Sequence, residues 1–366
     1  MERRNFIKTT ASGLAGIGIL PGMFSCRQVE ESFIDRLLPA PVGGGYSMED
    51  YWIWGSSVIR GEDGRYHMFA DRWSKKLGFG NWVTNSEVVR AVADTPVGPY
   101  TFEEVVLPVR GKDYFDGLVT HNPRIIKYQD YYLLYYFGTT YDFQIPEDEN
   151  IPDWNAAWMN KRIGLAISKS VYGPWKRLDK PVIEPRRGKW DATITTNPAP
   201  VVIPETGEIL LMYKSSEVGP VPPLLLGVAK AQKPEGPYER LSDDPIFRFE
   251  KAARQDNDVE DPYVWRANGR FEVIMKDRFG HIGGEEGGGL RAWSNDGVKW
   301  NLYNQPKAYS RSIRWNDGTT TVQNHFERPF LLIENGVPTH LFAATGNGSK
   351  AWQIEHSWNM VIPLRT

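Results

Sequence analysis

The chain has 366 residues, a formal charge of −2 at pH 7 and no long lysine or arginine run, so it lacks the concentrated basic face on which nucleic-acid binding rests. Hydrophobic residues make up 41% and aromatic residues 13%, with 14 tryptophans. That is ample for a core, and the indole excess points to a site that stacks flat, partly apolar ligands. Cys26 is the only cysteine, which excludes an intramolecular disulfide.

Residues 1–26 read as an export signal. Arg3-Arg4-Asn5-Phe6-Ile7-Lys8 is similar to the twin-arginine motif, and the apolar run from Ala11 to Leu20 is too short to span a bilayer. Cys26 follows Gly22-Met23-Phe24-Ser25, a loose lipobox, and is the candidate site of a lipid anchor. The expected location is a bacterial periplasm or a membrane-anchored lipoprotein. Residues 27–50, with Gly43-Gly44-Gly45, form an irregular lead-in that is expected to supply a closing strand.

From Tyr51 to the end, short apolar or aromatic runs alternate with Gly, Pro, Asp and Asn, which is strand and turn chemistry. One pattern occurs five times, at Trp54-Gly55-Ser56, His121-Asn122-Pro123, Asn197-Pro198, Glu260-Asp261-Pro262 and Glu327-Arg328-Pro329. Each motif heads an apolar strand, and a turn leads into a second one. A later strand and a Gly-centred turn follow, as in Gly98-Pro99-Tyr100, Gly173-Pro174-Trp175 and Gly236-Pro237-Tyr238. A period of roughly 65 to 75 residues marks repeated supersecondary units. Four strands per unit predict an all-β, five-bladed β-propeller of four-stranded antiparallel blades over residues 51–366. Two long loops, 141–161 and 277–289, are expected to carry function.

This pattern resembles the five-bladed propeller glycoside hydrolases of family 43 and its relatives, families 32 and 117. The resemblance covers roughly residues 45–366 and implies an oligosaccharide or polysaccharide substrate held where the innermost strands meet. In those families the catalytic carboxylates sit on the inner strands of the first three blades. Here those positions carry Ser56-Ser57, His121-Asn122 and Thr196-Asn197, so none is acidic.

The acids at strand heads lie instead in the last two blades: Glu260, Asp261 and Glu327. Alternation along a strand predicts that Glu260 and Asp261 do not both face the sugar. One of them is then left to cap a turn or pair with an arginine such as Arg328. Asp116 and Asp191 each stand shortly before an Asn-Pro and are expected on the funnel rim, either supplying a second carboxylate or anchoring a loop. His121 is the candidate proton donor, a role the resemblance to family 117 also implies. Trp54, Asn122, Asn197, His325, Arg328, Glu87 and Lys276 are candidate substrate-binding residues.

No metal-ligand spacing appears. No cofactor is required, and an axial calcium or sodium ion is compatible with the fold. The expected activity is hydrolysis of a terminal sugar by acid/base catalysis with inversion. The alternatives are a glycoside phosphorylase, with phosphate on Arg124, Arg328 and Lys276, and a non-catalytic carbohydrate-binding propeller.

Overall fold

The computed structural model describes residues 32–220, 223–247, 259–349 and 353–366. Blade 1 is β1 (Tyr51–Arg60), β2 (Tyr66–Ser74), β3 (Glu87–Ala93) and β4 (Thr101–Leu107). Blade 2 is β5 (Val119–Tyr128), β6 (Tyr131–Thr139), β7 (Arg162–Ser168) and β8 (Lys176–Arg177). Blade 3 is β9 (Thr196–Val202), β10 (Ile209–Ser215), β11 (Leu225–Ala231) and β12 (Glu239–Arg240). Blade 4 is β13 (Val259–Ala267), β14 (Arg270–Asp277), β15 (Gly289–Ser294) and β16 (Asn301–Lys307). A small hairpin, β17 (Ser312–Arg314) with β18 (Thr320–Val322), precedes blade 5, which is β19 (His325–Glu334), β20 (Val337–Asn347) and β21 (His356–Pro363). Pairing within every blade is antiparallel, as the repeats predict.

The second strand of each blade is largely apolar because both of its faces are covered. Successive side chains point to opposite faces, so one strand serves two interfaces. Met68 and Ala70 pack toward blade 5, whereas Phe69 between them packs toward blade 2. Leu133 and Tyr135 meet blade 3 while Leu134 and Tyr136 meet blade 1. Leu210 and Met212 face blade 4, Ile274 faces blade 5, and Phe342 returns to blade 1. Five apolar clusters thus fill five interfaces and carry the packing round a closed ring.

The last sheet has three strands, and the segment before β1 lies along its outer edge. Tyr46 exchanges backbone hydrogen bonds with Asn359 at 2.9 and 2.8 Å, and Leu37 bridges Leu364. These contacts are isolated bridges rather than a continuous strand. They cover an edge that would otherwise be open to another chain.

Every inner strand is broken at the same place by a bulge, seen as a register shift against the second strand. In blades 2 to 5 the first bulge residue is Asn122, Asn197, Asp261 or Arg328, each with φ between 52° and 58° and each followed by proline. A proline cannot supply a ladder N–H, and the left-handed residue before it turns its side chain toward the axis. In blade 1 the shift falls at Trp54-Gly55. A Cβ on Gly55 would stand 2.9 Å from Asn122 Oδ1 and 3.1 Å from Asp71 Oδ2, so glycine is what allows the neighbouring blades to close in there.

Candidate active site

The bulge side chains join into a belt across the axis. Asn122 Nδ2 donates to Asn197 Oδ1 at 3.0 Å, and Asn197 Nδ2 donates to Asp261 Oδ1 at 2.6 Å. Arg328 donates to Asp261 through Nη1 at 2.7 Å and through its backbone N–H at 3.1 Å. A left-handed Arg328 costs about 1–3 kcal/mol, and this two-point grip holds it. Asp261 is consumed by these contacts and is a positioning group. The expectation of alternating faces is corrected here: the bulge suspends the period of two, so Glu260 and Asp261 both line one cavity. Among the described residues no three His, Cys, Asp or Glu side chains converge as a metal site, and the axis carries the Arg328 guanidinium.

That cavity encloses about 690 Å³ above the belt, within the range of sites that hold small ligands. Aromatic rings wall it: Trp54 and Trp73 from blade 1, Trp82 from the short helix α1 (Trp82–Asn85), Phe137, and Trp154 and Trp158 from helix α2 (Trp154–Met159) in the loop 141–161. The other long loop contributes Arg278, Phe279 and Glu286. Asp277 ties that loop down by accepting from the backbone N–H groups of Gly280, Ile282 and Gly283 at 3.0, 2.9 and 2.7 Å. A second cavity of about 570 Å³, between the lead-in segment and the β17–β18 hairpin, brings no acid–base pair together.

The charged floor combines Glu260 and Glu327 from inner strands with Lys214 and Lys276 from second strands. Lys276 Nζ lies 2.6 Å from Glu327 Oε1 and 3.2 Å from Glu260 Oε1. Glu260 also meets Lys214 Nζ at 2.7 Å and Arg278 Nε at 3.5 Å. Burial pushes the Glu260 carboxyl up, but Lys214, Lys276 and Arg278 outweigh it and hold the group well below the usual range. Burial acts likewise on Glu327, and Lys276 with His325 brings it down to about 2. Burial would lower Lys276, yet Glu327 and Glu260 keep its ammonium charged. His325 stands beside Glu327, with Nδ1 at 3.2 Å from Oε1, and its ring packs edge-on to Trp54 at 6.1 Å.

His121 also lines the cavity, but it is not presented as a proton donor. Its Nδ1 is 2.7 Å from Ser86 Oγ, and its Nε2 faces Asp71 Oδ2 at 3.4 Å. Burial, Arg328 and Lys161 push its pKa well below the ordinary value. Burial raises Asp71 well above a normal carboxylate, against the pull of Arg328 and the Asn122 N–H.

Three further expectations are corrected. Asp116 and Asp191 are not on the rim but fully buried between strands. Asp116 takes hydrogen bonds from Arg110 Nε at 2.8 Å and Tyr136 Oη at 2.6 Å, with Arg177 Nη1 at 3.5 Å. Asp191 takes them from Arg186 Nε at 2.9 Å, Tyr213 Oη at 2.9 Å and Arg240 Nε at 2.6 Å. These are two copies of one structural clamp. Glu87 stays off the cavity because Arg72 holds it at 2.9 Å, and Arg72 is itself sandwiched between the rings of Tyr51 and Phe102. Arg124, the suggested phosphate ligand, is buried and donates to the carbonyls of Ser56 and Pro329.

Sequence reasoning missed Asp71, Lys161, Lys214, Arg278 and Arg311. A signal existed for two of them, since Asp71 and Lys214 are charged residues inside otherwise apolar second strands, as Lys276 is. The others come from loops whose path only the fold reveals.

In fold, the chain is similar to Zg3597, a family 117 glycoside hydrolase produced by the marine bacterium Zobellia galactanivorans, at 16% identity and a TM-score of 0.60 over 89% of each chain. It is also similar to the solved structure of a glycoside hydrolase at 13% identity and a TM-score of 0.65, covering 91% of this chain and 93% of that one. A thermostable family-43 glycoside hydrolase aligns at 14% identity and a TM-score of 0.56, covering 88% and 93%. No protein-family profile and no curated protein sequence matches the chain. Identities this low establish the shared propeller.

Proposed function

We propose that the protein is an exported glycoside hydrolase that removes a terminal sugar from an oligosaccharide or polysaccharide by a single displacement with inversion. The observation that carries this reading is that Glu260 and Glu327 share Lys276 on the floor of an aromatic-walled cavity at the propeller axis. The rings offer stacking faces to a pyranose, and the carboxylates offer negative charge where the transition state becomes oxocarbenium-like. The glycoside-hydrolase neighbours of the same fold support the same class. Export rests on the twin-arginine-like stretch and Cys26, which lie outside the described residues.

In the proposed reaction the bond from the anomeric carbon to the departing oxygen breaks as His325, oriented by Glu327, gives that oxygen a proton. A water oxygen bonds to the anomeric carbon from the other side and loses its proton to Glu260. A carboxylate ringed by three cations is a weak base, which suffices because water attacking an oxocarbenium-like centre needs little deprotonation. Glu327 stabilises the imidazolium before transfer, as a carboxylate does for histidine in other acid–base pairs.

The test is release of reducing sugar from a panel of plant and algal glycans, with proton NMR following the anomer first formed. Glu260→Gln and Glu327→Gln are each expected to lower the rate by roughly 10²–10⁴-fold, with circular dichroism showing that both variants are folded. Unchanged turnover in both variants would remove these residues from the mechanism. Release that depends on added phosphate would replace the hydrolase with a phosphorylase.

A further inference from the structure

Six cationic side chains line the cavity (Lys161, Lys214, Lys276, Arg278, Arg311 and Arg328) against four carboxylates (Glu260, Asp261, Glu286 and Glu327). The carboxylates of Glu260, Asp261 and Glu327 are already matched to Lys214, Lys276, Arg278 and Arg328. Lys161 has no such match. It is 3% exposed, and its Nζ makes no ion pair or hydrogen bond with any described residue. Its ammonium sits 3.6 Å from the Trp158 ring centroid, with the rings of Trp82 and Phe137 at 5.3 and 5.6 Å. The Lys161 carbonyl accepts from the Thr195 N–H at 3.2 Å, which fixes this residue against blade 3, the blade that carries Lys214.

A buried ammonium without a counter-anion is costly, and ring faces offset only part of that cost. Burial and the neighbouring charge of Lys214 push the Lys161 amine well below its ordinary range, with Glu260 pulling the other way. A neutral hydroxyl cannot supply the missing counter-charge, whereas an anion in the cavity that both lysines line would gain charge-assisted hydrogen bonds from them.

We infer that the cavity takes a saccharide bearing an anionic substituent, a carboxylate or a sulfate ester, seated at Lys161 and Lys214. This rests on the reading of the cavity as a sugar site, and it names the substrate class within that reading. The aromatic wall stacks the ring while the two lysines select the charge, so neutral sugars of the same shape are discriminated against.

The test is calorimetric binding of glucuronate, galacturonate, galactose 6-sulfate, glucose, galactose and inorganic phosphate to the whole protein. At least one acidic sugar is expected to bind about tenfold or more tightly than its neutral counterpart, a preference that weakens with added salt. Whether uronate or sulfate ester shows it identifies the anion. Lys161→Met should collapse the ratio toward one, and Lys161→Arg should restore part of it. The methionine variant is expected to melt no lower than wild type, since it removes a buried amine that no described residue pairs, and this shows that it is folded. Equal binding of acidic and neutral sugars, a preference that survives Lys161→Met, binding of phosphate alone, or no binding of any acidic sugar would each overturn the inference. Because binding is read without turnover, absent hydrolysis leaves a positive result standing, and equal binding leaves the hydrolase reading intact.

Discussion

Two buried polar networks in this propeller look alike in composition and differ in purpose. The clamps around Asp116 and Asp191 each surround one carboxylate with two arginines and a tyrosine hydroxyl, and they repeat from blade 2 to blade 3. The floor of the cavity uses the same kinds of charge, but no pair of facing residues recurs in it from blade to blade. At the ladder position just before each bulge the second strands carry Arg72, Phe137, Lys214, Lys276 and Ala344, opposite Ile53, His121, Thr196, Glu260 and Glu327. A repeated cluster serves what all blades need, which is attachment to a neighbour. The departures from repetition mark the place where five equivalent strands have been given different chemistry.

That contrast is broken most directly at the clamps. Asp116→Ala or Asp191→Ala removes the buried carboxylate that two arginines share, and each is expected to destabilise the fold by about 3–5 kcal/mol, read as a lower urea midpoint. Loss of activity with unchanged stability in these variants would put them in the site after all. Glu327→Gln is the milder case for stability, because Lys276 keeps its contact with Glu260.

Acid titration sharpens the comparison. The folded pKa of Glu327, about 2, lies below its ordinary 4.5. Its contribution to stability is therefore present above about pH 4.5 and is lost as pH falls toward 2. Melting temperatures across that window should fall less steeply in Glu327→Gln than in wild type. An identical slope would mean that Lys276 and His325 do not hold the carboxylate ionised.

The smallest expected effect lies on the axis. Gly55→Ala would press a methyl group against Asn122 Oδ1 and Asp71 Oδ2. A cost of about 1–3 kcal/mol is expected by chemical denaturation. No change would show that the belt relaxes freely at blade 1.

Much of this architecture was legible without coordinates because it is local and periodic. Alternating apolar strands, turn glycines and the recurring X-Pro pairs determined the blades, their number and the position of the inner strands. The same periodicity misled at Glu260 and Asp261, since a bulge with a left-handed residue suspends the alternation on which the expectation rested. It misled again at Asp116 and Asp191, where a recurring motif marked a clamp rather than a rim. Only the tertiary structure decided which charges meet. Lys161, Lys214, Glu260, Lys276 and Glu327 are scattered from blade 2 to blade 5 and come together because five sheets close around one axis. Pairing between such distant side chains leaves no periodic trace in a sequence.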